Sequence, residues 1–99
     1  MYTLDTNPII YYAKGDTSVI DRLEALMFSD ILRISIITEI ELFSRRDTEE
    51  AELDRLEIFL RHVSVVPPDS RIARMAAEMR RESNLKLADA VIAATALAY

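Results

Sequence analysis

The sequence predicts an α/β fold in which a central parallel sheet is flanked by helices. Short runs rich in β-branched residues alternate three times with segments whose apolar residues recur at helical spacing. The chain has 99 residues, of which 51% are hydrophobic, which suits one domain with its own core. We therefore expect a single domain over residues 1–99. In such a fold, ligands bind beyond the carboxyl ends of the strands.

The first predicted strand and helix lie at the start of the chain. Met1–Leu4 is short and partly apolar, and Asp5 follows it immediately. Asn7 and Pro8 are typical of a helix start, with Asn7 as the N-cap and Pro8 at the first helical position. The helix is expected to end at Gly15, the only glycine of the chain. Asp5 is therefore expected at the carboxyl end of the first strand.

Two further helices are predicted on either side of the second strand. Asp16 or Thr17 can cap the first of these helices. The β-branched run around Leu32–Ser35 predicts the strand. Thr38 is expected to open the next helix, because Thr38 and Glu41 have the spacing of a capping box. On this interpretation Glu41 is structural, whereas a helix shifted by one turn leaves its carboxylate free.

The second half of the chain predicts a third strand between amphipathic and apolar helices. The strongly charged segment 49–61 has apolar residues at helical spacing and predicts a surface helix. The third strand is predicted over Val63–Val66. Asp69 is expected to cap a helix that runs to about Ser83, and Leu87–Ala98 predicts a last, alanine-rich helix.

Carboxylates are the main source of chemistry in this composition. The absence of cysteine excludes disulfides, thiolate zinc sites and cysteine nucleophiles. The single histidine, His62, ends the charged surface helix and is expected to be structural. The net charge of -5 argues against a general nucleic-acid coat protein. A nuclease tolerates such a charge, because bound cations change the local sign of its site.

Three acidic residues occupy positions where one crevice can bring them together. Asp5 follows the first strand, Glu41 lies in the helix after the second, and Asp89 begins the last helix. Carboxylate oxygens suit Mg²⁺ or Mn²⁺, which can activate water and stabilise charge on a phosphodiester. Each residue also has a structural explanation: Asp5 as a turn residue, Glu41 in the capping box, and Asp89 as a first-turn acid favoured by the helix dipole. Glu39 is expected to be a solvated neighbour.

Three motifs resemble those of PIN-domain nucleases, particularly the VapC-like toxins. Leu4–Asn7 before an apolar helix is similar to the first motif, and Ser35–Leu42 is similar to the second. Leu87–Leu97 is the most specific, with an aspartate before an Ile-Ala-Ala-Thr-Ala-Leu run. The motifs occur in the family's order and span nearly the whole chain. The resemblance implies a PIN-like three-layer α/β fold with a central parallel sheet.

This resemblance also implies an activity and its residues. The implied function is a metal-dependent endoribonuclease, the toxin of a toxin–antitoxin pair. Asp5, Glu41 and Asp89 would be catalytic and would hold one or two Mg²⁺ or Mn²⁺ ions. Thr6 and Asn7 fall on positions that support the first aspartate.

Several partners follow from the same resemblance. RNA is the implied substrate, and a cognate antitoxin is the implied protein partner. A homodimer is expected through helices near Ile9–Ala13 and Arg74–Met79, because the apolar helices exceed what a small monomer covers. The Met1–Asp5 segment has no signal-peptide features, and no apolar run approaches the ~20 residues that span a bilayer. We therefore expect a cytoplasmic protein with no membrane partner.

The chain departs from the family pattern at its end. The family continues beyond the third motif into another strand and a segment with a fourth acid, whereas this sequence ends at Tyr99. The expected fold therefore lacks its C-terminal strand. The glycine common before the third motif is also absent, with Asn84 in that region. A second interpretation follows: a catalytically impaired, truncated PIN domain that acts as a dimerisation or antitoxin-binding module.

Two phosphoryl-transfer classes also carry an aspartate after their first strand, and both fit this sequence poorly. Haloacid-dehalogenase-like enzymes need a second aspartate two residues later, where this chain has Asn7. Receiver domains need an acidic pair before the aspartate, and none precedes Asp5. A single glycine also excludes a glycine-rich phosphate loop.

Overall fold

Three strands and six helices follow one another in the computed structural model, which describes residues 2–99. In chain order they are β1 (Tyr2–Thr3), α1 (Thr6–Ala13), α2 (Thr17–Ser29), β2 (Leu32–Ser35), α3 (Ile36–Phe43), α4 (Glu50–Leu60), β3 (Ser64–Val66), α5 (Ser70–Glu82) and α6 (Leu87–Ala98). The predicted α/β class is confirmed. None of the helices within residues 2–99 is both long and apolar enough to cross a membrane.

The sheet is parallel throughout, with the strand order β1-β2-β3. Thr3 pairs with Arg33, and the backbone N–H of Leu4 donates to the Arg33 carbonyl at 2.9 Å, which extends the pairing by one residue. The residues that follow β1 and end β2, Asp5 and Ser35, therefore lie at the same edge of the sheet. In parallel sheets, ligands bind at this edge, where the strands lead into loops and helix starts.

Helices cover both faces of the sheet, as the three-layer prediction requires. Ile34 of β2 is buried in a cluster with residues of α1, α2, α3 and α4. The preceding residue, Arg33, points to the opposite face, because successive strand residues alternate. Its guanidinium lies 5.0 Å from the ring centre of Tyr99, the residue after α6. A second buried cluster joins β3, α5 and α6.

Two predicted helix starts are wrong, and the structure gives the same reason for both. Helix α1 begins at Thr6 with Asp5 as its N-cap, rather than with Asn7. Helix α3 begins at Ile36, and the Ser35 hydroxyl accepts from the Ile37 N–H at 3.1 Å, so Thr38 is not a cap. In each case the residue at the strand end caps the next helix without an intervening loop. Pro8 is tolerated because its missing N–H falls in the first turn, where backbone donors have no helical partner.

Other predicted boundaries are confirmed. Strand β2 and helix α6 have the predicted ranges. Asp69 caps α5 by accepting from the Ile72 N–H at 2.9 Å. Asp16 caps α2, and its bonds from the Ser18 hydroxyl and the Val19 N–H lower the pKa of its carboxyl. Gly15 has φ of 87°, the left-handed conformation that suits a glycine after α1.

Candidate functional site

An open depression lies at the carboxyl end of β1, between that strand and helix α6. Its volume is about 380 Å³. Its lining comprises Thr3, Leu4, Asp5, Asp89, Ile92, Ala93 and Ala96. Two of the three predicted acids, from opposite ends of the chain, therefore face one space. The remaining lining is small or aliphatic, so these two carboxylates supply its charge.

Asp5 is placed by its role at the start of α1. Its Oδ1 atom accepts a hydrogen bond from the Thr6 N–H at 2.7 Å. The side chain is exposed. One oxygen thus satisfies a helix-start donor, and the carboxylate still reaches the depression. The structural and the chemical interpretations of Asp5 are therefore compatible.

Thr6 connects the first predicted acid to the second. Its N–H binds Asp5, and its hydroxyl donates to Oε1 of Glu41 at 2.6 Å. Glu41 lies in the last turn of α3, because that helix starts earlier than the capping box predicted. Glu41 does not line the depression that holds Asp5 and Asp89. Its link to the site runs through Thr6.

Asp89 lies in the first turn of α6 and is exposed. A carboxylate there is stabilised by the positive end of the helix dipole, so position alone does not prove chemistry. The second predicted supporting residue, Asn7, is exposed in the first turn of α1. Among the residues that the structure describes, Asn7 forms no hydrogen bond through its side chain.

The carboxylates suit a divalent cation in kind, although they do not form a group of three. Within residues 2–99, no set of three or more Asp, Glu, His or Cys side chains is close enough to hold a metal ion. Mg²⁺ is often bound by one or two carboxylates, with waters and substrate phosphates as its other ligands. Asp5 and Asp89 on one open depression fit that pattern. Glu41 is linked to Asp5 by the hydrogen bond from the Thr6 hydroxyl and does not line the depression.

A second cavity, of about 460 Å³, lies away from these acids. It is lined by Tyr12, Glu24, Met27, Phe28, Ile58 and His62. Burial, followed by the nearby Glu24 charge, raises the pKa of Tyr12, and Arg55 opposes this effect. The phenol therefore stays protonated at neutral pH and offers no nucleophile. The single histidine lies at this cavity and not beside the three acids.

Two positions near the acids have features that the sequence did not predict. Ser35 caps the helix that carries Glu41, and a serine directly before an apolar helical run was the available signal. Thr38, one turn before Glu41, is fully buried, and its hydroxyl has no hydrogen-bond partner within the described chain. No sequence pattern could have shown this missing partner, because it depends on the packing around α3.

Comparison with known proteins shows which domains this chain resembles. The sequence profile of the PIN domain family matches residues 2–99. A chain of a toxin–antitoxin complex from Klebsiella pneumoniae is similar, with 28% identity and a TM-score of 0.79 over 98% of this chain and 78% of that one. A chain of VapBC2 from Rickettsia felis, bound to a promoter DNA fragment, has 26% identity and a TM-score of 0.78 over 94% of this chain and 77% of that one. A chain of DNA-bound VapBC from Salmonella typhimurium has 25% identity and a TM-score of 0.72 over 93% of this chain and 75% of that one. No curated protein matches the chain by sequence.

Proposed function

This chain belongs to the PIN domain family, and we propose that it is the toxin nuclease of a toxin–antitoxin pair that cleaves RNA with a divalent metal ion. The similar chains from Klebsiella, Rickettsia and Salmonella come from such complexes, which supports a VapC-like toxin. One structural observation carries the chemical part of the proposal. Asp5 and Asp89 line the same depression at the carboxyl end of β1.

Asp5 and Asp89 are the residues that would hold Mg²⁺ or Mn²⁺, with Glu41 as the third acid of the site. When bound, such an ion lowers the pKa of a water molecule and stabilises charge on a phosphodiester. Thr6 fixes the positions of two of these acids, because it donates to both Asp5 and Glu41. The strand end and the two helix starts hold the side chains on rigid elements, which favours a defined geometry.

A cognate antitoxin and a second copy of this chain are the proposed protein partners. The segments expected to form a homodimer are partly committed to the core, because Ile9 and Ala13 are fully buried in the monomer. Tyr11, which is 54% exposed, is the side chain that α1 offers to a partner. On α5, Arg74 and Ala77 are exposed. A dimer interface would therefore be formed by the outer sides of these helices.

A second candidate function is a domain that binds an antitoxin or dimerises without cleaving RNA. It is favoured by the observation that the described residues hold no group of three metal-ligating side chains. The two functions differ in one measurable property. The proposed nuclease requires a metal ion for turnover, whereas a binding module does not turn over RNA at all.

The test is cleavage of single-stranded RNA by the purified chain with Mg²⁺, with Mn²⁺ or with EDTA. We expect cleavage only with metal, and a loss of at least about 100-fold in Asp5→Asn and Asp89→Asn, because even outer-shell partners of metal sites change activity or affinity 10- to 100-fold. Asp21→Asn, an exposed acid on α2, is the control and should cleave like the unmodified chain. Binding of Mn²⁺ should also raise Tm in the unmodified chain and in Asp21→Asn only.

Two outcomes would contradict the proposal. Metal-independent cleavage that survives both substitutions would assign the activity to another site or to a contaminant. A complete absence of cleavage, with an antitoxin still bound, would favour the binding module.

A further inference from the structure

Positive charge is concentrated in one part of this acidic chain. Residues 70–88 contain five basic residues and two acidic ones, a net charge of +3. The rest of the chain contains 15 acidic residues and seven basic ones. An RNA backbone carries one negative charge per nucleotide, so most of this protein repels it. A substrate that reaches the acids must therefore approach over a surface that offsets this repulsion.

Three of these basic residues lie where α5 turns into α6. We call Arg80, Arg81 and Lys86 the basic corner. Every residue from 80 to 87 is exposed. The Nε atom of Arg80 donates to the Leu85 carbonyl at 3.3 Å, which holds the Arg80 side chain against the loop. The charges of the corner therefore lie at an exposed surface.

The basic corner adjoins the depression through the first turn of α6. Lys86 is the N-cap of that helix, and its carbonyl accepts from the Ala90 N–H at 3.0 Å. Asp89 is the third residue of that helix, so Lys86 and Asp89 belong to its first turn. Lys86 of the basic corner therefore lies within one helical turn of Asp89, one of the two acids that line the depression.

The charges of the basic corner are not neutralised inside the protein. Over residues 2–99, no ion pair involves Arg80, Arg81 or Lys86. Glu78 precedes Arg81 by three residues on α5, yet these two side chains form no ion pair. Segment 80–86 also contains one acidic residue, Glu82, so its net charge is +2, which attracts an anionic ligand with several charges.

We propose that the basic corner binds the phosphate backbone of the RNA substrate and positions it beside Asp89; this inference rests on the proposed function. Arginine is suited to the task, because its planar guanidinium can bind two phosphate oxygens at once. The contacts are with phosphates, so the surface strengthens binding without selecting a base sequence. The same corner then explains how a chain of net charge -5 holds a polyanion.

The test compares two triple variants that change charge equally. The corner variant is Arg80→Gln/Arg81→Gln/Lys86→Gln, and the control is Arg22→Gln/Arg46→Gln/Lys14→Gln, which alters exposed residues on α2, the α3–α4 loop and the end of α1. Binding of a fluorescein-labelled 12-nucleotide single-stranded RNA is measured by anisotropy, with EDTA present so that no metal-dependent cleavage occurs. The measurement is repeated over a series of KCl concentrations.

We expect the corner variant to raise Kd at least about tenfold at 0.1 M KCl. The slope of log Kd against log salt should fall by about 2, because each phosphate contact to a single strand contributes about 0.7. The control should change Kd less than about twofold and leave the slope unchanged. Unchanged melting curves for both variants would show that the fold is intact, and equal effects of the two variants on RNA binding would overturn the proposal.

Two further measurements separate this proposal from its alternatives. A labelled 12-residue oligoglutamate tests for an acidic protein segment as the ligand. If the corner variant loses oligoglutamate binding more than RNA binding, the RNA assignment is wrong. Cleavage with Mn²⁺ separates the corner from the proposed function. If the unmodified chain cleaves RNA and the corner variant cleaves it equally well, the proposal for the basic corner is wrong and the proposed function stands. If RNA binds at the basic corner but is not cleaved, the nuclease function is wrong and the proposal for the corner stands.

Discussion

The two helical layers that cover the sheet are built from different kinds of side chains. The layer of α1, α2 and α4 buries mainly large residues. Together with those of β2 and α3, its buried residues are Ile9, Leu23, Ile34, Leu42, Leu56 and Phe59, with Ala13 as the single small one. The layer of α5 and α6 buries smaller residues, with three alanines, Ala76, Ala90 and Ala94, beside Val91 and Ile72. The first layer therefore gains most from apolar area removed from water. The second depends on close approach of its two helices.

This difference matters because the candidate site takes one acid from each layer. Asp5 begins α1 of the large-residue layer, and Asp89 lies in α6 of the small-residue layer. The distance between the two carboxylates is thus set by how closely α6 approaches the sheet. Ala90 and Ala94, both fully buried on α6, permit that approach. The first layer mainly supplies stability, and the second also sets the geometry of the site.

The largest expected effect comes from deleting a large side chain in the first layer. Phe59 is fully buried and its ring lies 5.2 Å from that of Tyr12. Phe59→Ala should lower the free energy of unfolding by about 3–5 kcal/mol, through lost burial and the cavity left behind. Phe28→Ala is the matched control, because Phe28 is 94% exposed and should change stability by less than about 0.5 kcal/mol. Urea unfolding measures both, and similar losses would show that Phe59 is not part of the main core.

The contrast between the layers also explains which elements could be predicted from sequence. Strand β2 and helix α6 are marked by local composition, a β-branched run and an alanine-rich apolar run, so their ranges were predicted correctly. The starts of α1 and α3 were not, because several polar residues compete for each cap. Asn7 and Thr38 fit the local pattern, but Asp5 and Ser35 lie at the strand ends and take the role. Tertiary position decides between locally similar caps.

The candidate site was predictable only in part for the same reason. Family resemblance singled out Asp5, Glu41 and Asp89, and the structure brings Asp5 and Asp89 to one depression. The bond from Thr6 to Glu41 joins residues 35 positions apart and depends on how α1 packs on α3. No local pattern encodes that packing. The grouping of all three acids around one metal ion stays a prediction.

A smaller effect is expected from enlarging a side chain in the second layer. Ala94 is fully buried between α6 and its neighbours. Ala94→Val should lower the free energy of unfolding by about 1–3 kcal/mol, because a close-packed interface has no space for two more methyl groups. Ala73→Val on the exposed side of α5 should cost only the helix propensity of valine, about 0.5 kcal/mol. If urea unfolding shows equal losses, the second layer is loosely packed and the contrast between the layers fails.

The smallest expected effect concerns helix α3, where the two layers meet. Helix α3 takes part in both, since Leu42 lies in the first cluster and Ile37 packs against the second. Thr38 of α3 and Thr95 of α6 are both fully buried, but their hydroxyls differ. The Thr95 hydroxyl donates to the Val91 carbonyl at 2.7 Å, whereas the Thr38 hydroxyl bonds to none of residues 2–99.

Replacing each threonine by valine should therefore have opposite effects. Thr38→Val removes a buried polar group without a partner and should raise the free energy of unfolding by up to about 1 kcal/mol. Thr95→Val removes a made hydrogen bond and should lower it by about 1 kcal/mol. Because both changes exchange a hydroxyl for a methyl group in a fully buried site, each serves as the control for the other in urea unfolding. A loss of stability in Thr38→Val as large as in Thr95→Val would mean that the Thr38 hydroxyl has a partner, such as a buried water molecule, where α3 joins the two layers.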